Sequence, residues 1–149
     1  MITGFNHTGF VVQDIERMTA FYRDVLGLVV QFEAEVEGEF ISKLMGFPDT
    51  RARITFLEKE GETHVVELLQ HLSAVGGDGH CARNDAGAAH LCLTVDDAES
   101  TYHDLRAKGV RFVNPPAAGD SPMGPIKLYL GQDPEGNWLE FIELSGPAA

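Results

Sequence analysis

The chain writes one pattern twice. His7 stands seven residues before Asp14, and His90 stands seven residues before Asp97. Each histidine lies in a short apolar run, 5–12 and 88–95, that reads as a β-strand. Each aspartate opens an amphipathic segment closed by a glycine. Between Asp14 and Gly27, apolar residues at Ile15, Met18, Phe21, Tyr22, Val25 and Leu26 have helical spacing. Between Asp97 and Gly109, residues Ala98, Tyr102, Leu105 and Ala107 make a weaker stripe. An aspartate carboxylate accepts from the unpaired N–H groups of a first helical turn, and glycine takes the left-handed conformation that ends a helix. Three strand-like runs then follow each helix: 29–35, 53–57 and 64–70 in the first half, 110–113, 126–130 and 137–143 in the second. The repeat is one of element order, strand–helix–strand–strand–strand, more than of residue identity.

Four titratable residues occupy the first and last strands of the two halves: His7, Glu67, His90 and Glu140. In a buried strand such a side chain is costly unless it is paired or bound to a metal. Two imidazoles and two carboxylates form a ligand set suited to a divalent transition metal. Strand alternation tests whether their faces are free. His7 shares a face with Gly9 and Val11, Glu67 with Val65 and Leu69, His90 with Cys92 and Thr94, and Glu140 with Trp138 and Ile142. The opposite faces are largely apolar and suited to packing under a helix. The other histidines, His64, His71, His80 and His103, read as solvent-facing. Cys92 reads as a buried, inert thiol.

The 149 residues suffice for one ordinary domain with a real core. The net charge of −12 argues against nucleic acid as a partner, because that affinity rests on cationic contacts to phosphate. Two cysteines give no disulfide framework and fit a reducing compartment. No leader-like segment or membrane-length apolar run is visible, so the cytoplasm is the expected location. The stretch 38–50 has room for a short helix. The stretch 114–125, with four of the seven prolines, reads as a loop that could close over a pocket. The last five residues read as a frayed tail.

At this point the chain resembles the vicinal oxygen chelate superfamily, which includes glyoxalase I, methylmalonyl-CoA epimerase, extradiol dioxygenases and bleomycin resistance proteins. The resemblance is carried by His7-Thr-Gly-Phe-Val-Val12, Phe21-Tyr-Arg-Asp-Val-Leu-Gly-Leu28, Val66-Glu-Leu-Leu69, Ala89-His-Leu-Cys-Leu-Thr-Val-Asp-Asp97 and Asp133-Pro-Glu-Gly-Asn-Trp-Leu-Glu-Phe-Ile-Glu143. It implies an α+β fold in which two βαβββ modules build a curved, mostly antiparallel, eight-stranded sheet around a metal-binding cavity. The modules are expected at about 1–75 and 87–149, joined by a connection at about 76–86, in a single domain.

The resemblance also places the metal ligands at His7, Glu67, His90 and Glu140, for one divalent ion per site: Zn, Ni, Co, Mn or Fe. The complete His, Glu, His, Glu set is that of many glyoxalase I forms. Two departures stand against strict glyoxalase I: the approach to His90 is Asn84-Asp-Ala-Gly-Ala-Ala89, and 117–124 lacks the usual Lys-Gly-Gly stretch. Arg17, Arg23, Arg51, Arg53, Arg83 and Lys127 are available to an anionic substrate, and the sequence assigns none of them. The expected activity is therefore a glyoxalase-like lyase or isomerase acting by proton transfer on a small molecule chelated through adjacent oxygens, with Glu67 or Glu140 as base. A binding or resistance protein and an iron-dependent dioxygenase are the alternatives. A homodimer is the expected assembly.

Overall fold

The structure, a computed structural model, describes residues 1–77, 81–122 and 124–144. The expected tail at 145–149, His80 and part of the expected connection lie outside the described residues. The chain divides into two units, Met1–Gly79 and His80–Ala149.

In the first unit, β1 (His7–Val11) leads to α1 (Ile15–Ala20), which continues as a π-helical turn, Phe21–Val25. Then come β2 (Val29–Glu37), α2 (Glu39–Met45), β3 (Arg51–Glu58) and β4 (Val65–His71). Asp14 caps α1, its carboxylate accepting from the Arg17 N–H at 3.0 Å. The wider π turn brings the adjacent Phe21 and Tyr22 both into the core. Gly27 closes the element at φ 75°, a conformation that a Cβ would strain. The sheet order is β1-β4-β3-β2, with β1 parallel to β4 and the other pairs antiparallel. α1 packs on β3 and β4, burying Ile15, Met18 and Tyr22 with Leu57, Val66 and Leu68. Truncating Leu68 there would cost about 2–5 kcal/mol through lost transfer energy and a cavity.

The second unit repeats the plan. β5 (His90–Thr94) precedes α3 (Ala98–Ala107), followed by β6 (Arg111–Phe112), β7 (Ala117–Ser121), β8 (Gly124–Gln132) and β9 (Trp138–Leu144). Asp97 caps α3 through the Ser100 N–H at 2.9 Å, and Gly109 follows the helix at φ 91°. Glu143 adds a second tie, accepting from the Ala98 N–H at 2.7 Å and from Lys127 Nζ at 3.2 Å. The sheet order is β5-β9-β8-β6, again with first and last strands parallel, and β7 also pairs with β8. The core is aromatic: Tyr129 stacks on Phe141 at 5.0 Å, and Tyr102 and Phe112 meet Tyr129 at 5.8 and 5.4 Å.

The α+β class and the paired βαβββ plan hold. Three details differ. Among the described residues there are nine strands in two sheets, where eight in one sheet were expected. The additional strand is β7, inside the stretch read as a loop. Pro115, Pro116 and Pro122 stand outside it, so they bound a strand rather than prevent one. The segment itself, Ala-Ala-Gly-Asp-Ser, has no alternation to betray it.

The second difference concerns burial. The faces carrying His7 and His90 are not buried within their units, whereas Val66, Leu68, Leu91, Leu139 and Phe141 on the opposite faces are. The third concerns two histidines. His64 is half-buried, its Nε2 2.9 Å from Thr8 Oγ1, and half-buried His71 meets Phe47 edge-on at 6.2 Å. His103 is exposed, as expected. No helix among the described residues is long and apolar enough to cross a membrane.

Candidate functional site

The four sequence-derived residues form two pairs, one in each unit. His7 Nε2 lies 3.4 Å from Glu67 Oε2, and His90 Nε2 lies 2.7 Å from Glu140 Oε2. Both pairs arise from one register. The parallel ladder sets Gly9 opposite Glu67 and Cys92 opposite Glu140, so each glutamate faces the residue two beyond its histidine. Side chains two apart on a strand share a face, which brings imidazole and carboxylate together.

The surroundings differ. Gly9 leaves room for the Glu67 carboxylate, since a Cβ there would stand 3.0 Å from Glu67 Oε2. Phe56 meets the His7 ring edge-on at 5.7 Å, and Phe32 tilts against Phe56 at 6.3 Å. His7 Nδ1–H donates to Asn6 Oδ1 at 2.7 Å. That contact orients the ring, with Nε2 on the Glu67 side. In the second unit Cys92 takes the place of Gly9. Cys92, expected to be buried, is exposed; partial desolvation by its neighbours, and secondarily the Glu140 carboxylate, push its thiol up to about 11, so it stays protonated at neutral pH.

His90 and Glu140 also line a cavity of about 420 Å³, within the range of small-molecule sites. Leu128, Leu130 and Trp138 give it apolar walls, and Asn114 and Ala117 bound it beside β7. The Trp138 indole N–H donates to the Cys81 carbonyl at 3.1 Å and so ties the segment before β5 to β9. Arg83, on that segment, lies over the Trp138 ring at 5.8 Å from its centre.

The donor types fit a divalent metal. Two cis ligands with bonds of about 2.1 Å stand roughly 3 Å apart, and the two pair distances bracket that value. The faces are open enough for an ion: the histidine side chains are 40% and 53% exposed. Among the described residues no group of three or more His, Cys, Asp or Glu side chains stands together. Each unit thus offers two donors.

The structure brings His7 to Glu67 and His90 to Glu140, and the sequence reading passed over Asn6, Phe56 and the Arg83–Trp138 pair. Only Asn6, directly before His7, carried a signal in the sequence, as a neighbour able to orient the ring.

Two such units, each with a His–Glu pair on its parallel first and last strands, define a class of small α+β proteins. The Glyoxalase/Bleomycin resistance protein/Dioxygenase superfamily is matched over residues 4–141, and the chain belongs to it. It is similar to a lactoylglutathione lyase of Schizosaccharomyces pombe, 30% identical over 94% of this chain and 47% of the relative, so the chain spans about half of that protein's length. It is also similar to the mitochondrial methylmalonyl-CoA epimerase of Mus musculus, 32% identical over 91% of this chain and 70% of that one. A glyoxalase family protein from Bacillus cereus has the same fold, with a TM-score of 0.84 at 19% identity over 98% of this chain and 97% of that one. Members of the superfamily generally use a divalent metal, bind small molecules and commonly form dimers.

Proposed function

We propose that this chain is a divalent-metal-dependent lyase or isomerase that moves a proton on a small substrate held through two adjacent oxygens. The observation that carries the reading is the pair of His–Glu couples in one repeated register, one of which lines a small-molecule cavity. His7, Glu67, His90 and Glu140 would together hold one metal, drawn from Zn, Ni, Co, Mn or Fe. When bound, the metal supplies Lewis-acid polarisation of the substrate's paired oxygens and favours charge developing on them.

The rest falls to the protein. Glu140 is the base we favour over Glu67, because its carboxylate belongs to the cavity wall and can meet a substrate C–H there. Leu128, Leu130 and Trp138 exclude water from the transferred proton. Asn6 orients the His7 ring. An epimerase inverts a carbon centre, and the name of the mouse relative is consistent with such chemistry. The complete ligand set favours this reading over a three-ligand dioxygenase and over a protein that only sequesters its ligand.

A homodimer fits the first unit, where α2 buries no residue and exposes Phe40 and Leu44. Two free cysteines fit the cytoplasm.

Metal analysis of purified protein tests the site. About one divalent ion is expected per four-ligand set. His7→Ala and His90→Ala should each lose most of it, and full occupancy in the double variant would sink the assignment. The base is tested by Glu140→Gln, which should slow turnover and solvent exchange of the substrate α-proton by roughly 10²–10⁴-fold, while the amide oxygen still coordinates. Glu67→Gln should have the milder effect.

A further inference from the structure

We propose that Arg83 is a specificity-determining residue that binds a carboxylate of the substrate at the cavity of the second unit. The inference rests on the reading of that cavity as the substrate site and adds the substrate's charge class. Its ground is the way this chain uses its cations. In a chain of net charge −12, three of the seven arginines pair with acids: Arg23 with Asp24, Arg51 with Glu35 and Glu37, and Arg53 with Glu16. Among the described residues, Arg83 has no acidic partner. It lies instead over the face of Trp138, and both line the cavity together with His90 and Glu140.

Stacking on an indole orients a guanidinium plane without consuming its N–H donors, which point outward from the plane's edge. The Trp138 ring is itself held by the bond to the Cys81 carbonyl, two residues before Arg83. The segment and the ring are thus tied to each other, which keeps the exposed Arg83 guanidinium beside the cavity. A planar fork of donors matches a carboxylate in a two-pronged geometry. The partner that fits is a small acid whose carboxylate meets Arg83 while the rest of the molecule lies against the apolar wall toward His90 and Glu140.

Trp138 is the single tryptophan of the chain, so its fluorescence reports on this spot. Benzoate and benzamide share a ring and a planar head group and differ in charge. Each is titrated into the full-length protein as purified and again after chelator treatment. Benzoate should bind at least about tenfold more tightly than benzamide in both, the usual worth of a charge-assisted pair. Arg83→Gln should erase the preference, and Arg83→Lys should keep part of it, with folding of each variant checked by circular dichroism. No saturable response to benzoate, equal affinity for the two probes, or a preference that survives Arg83→Gln overturns the proposal. Because the chelator-treated arm is independent of metal, an Arg83-dependent preference in a protein that never holds metal would sink the metal reading alone. Full metal content with no preference would sink this one alone.

Discussion

At the scale of single residues, the two pairs depend on what stands beside them. Gly9 is the clearest case. It lies in extended β1, so alanine is tolerated by the backbone, and the atom it would meet is the far end of the flexible Glu67 side chain. Gly9→Ala should therefore leave stability nearly unchanged while pushing the carboxylate away from His7. Metal affinity should fall by roughly 10–100-fold, as for loss of an orienting neighbour, measured by competition with a chelating dye. Cys92, the counterpart of Gly9, shows that a side chain can be accommodated in the second unit, where imidazole and carboxylate are already 2.7 Å apart.

Tyr129 gives a second residue-scale prediction. Its ring is 1% exposed, and its hydroxyl has no hydrogen-bond partner among the described residues. Burial, helped by Asp97, Glu143 and Glu99, pushes the phenol up to about 12 from 10.0. A raised value means that the fold favours the neutral phenol. That contribution is complete below pH 10 and is lost as pH climbs through 12. Tyr129→Phe should flatten the loss of stability in that window. At neutral pH it should stabilise by about 1 kcal/mol by removing an unpaired buried hydroxyl. Urea unfolding at several pH values reads both.

At the scale of elements, the caps matter most. Asp97→Ala removes the bond to the Ser100 N–H and should destabilise by about 1 kcal/mol, readable as a lowered urea midpoint. The effect should be softened because Glu143 still holds the Ala98 N–H. Elements of this kind were legible in the sequence because they rest on local rules. Asp14 and Asp97 announce helix starts, Gly27 and Gly109 announce ends, and strand alternation put His7, Glu67, His90 and Glu140 on faces away from the core. What could not be read depended on contacts between distant residues. Nothing local about Ala117–Ser121 says strand; its order comes from pairing with β8. Burial of the His7 and His90 faces was misjudged because alternation tells which residues share a face, not what covers it. Arg83 was one candidate among six until the fold set it on Trp138, fifty-five residues away.

At the scale of the whole molecule, each unit carries one His–Glu pair, and α2 leaves Phe40 and Leu44 exposed. Mixed dimers test whether the proposed four-residue set is completed within one chain or between two. One chain carries His7→Ala with Glu67→Gln, its partner His90→Ala with Glu140→Gln. Exchange leaves one intact site, so about one metal per mixed dimer is expected, where sites confined to single chains would give none. Phe40→Asp with Leu44→Asp should yield monomers by sedimentation, and dimers that persist would place the interface elsewhere.

The pairing of first with last strand also governs when the site comes into existence. β1 is made at the start of its unit and β4 at the end, and neither has the other to bond to until everything between them has been synthesised. The same order holds for β5 and β9. Joining such distant strands is a late, entropically expensive closure. A nascent or truncated unit therefore displays a histidine without its glutamate and has little hold on a stray ion. Were the proposed site to bind an ion, binding would report that β1 has paired with β4 and β5 with β9.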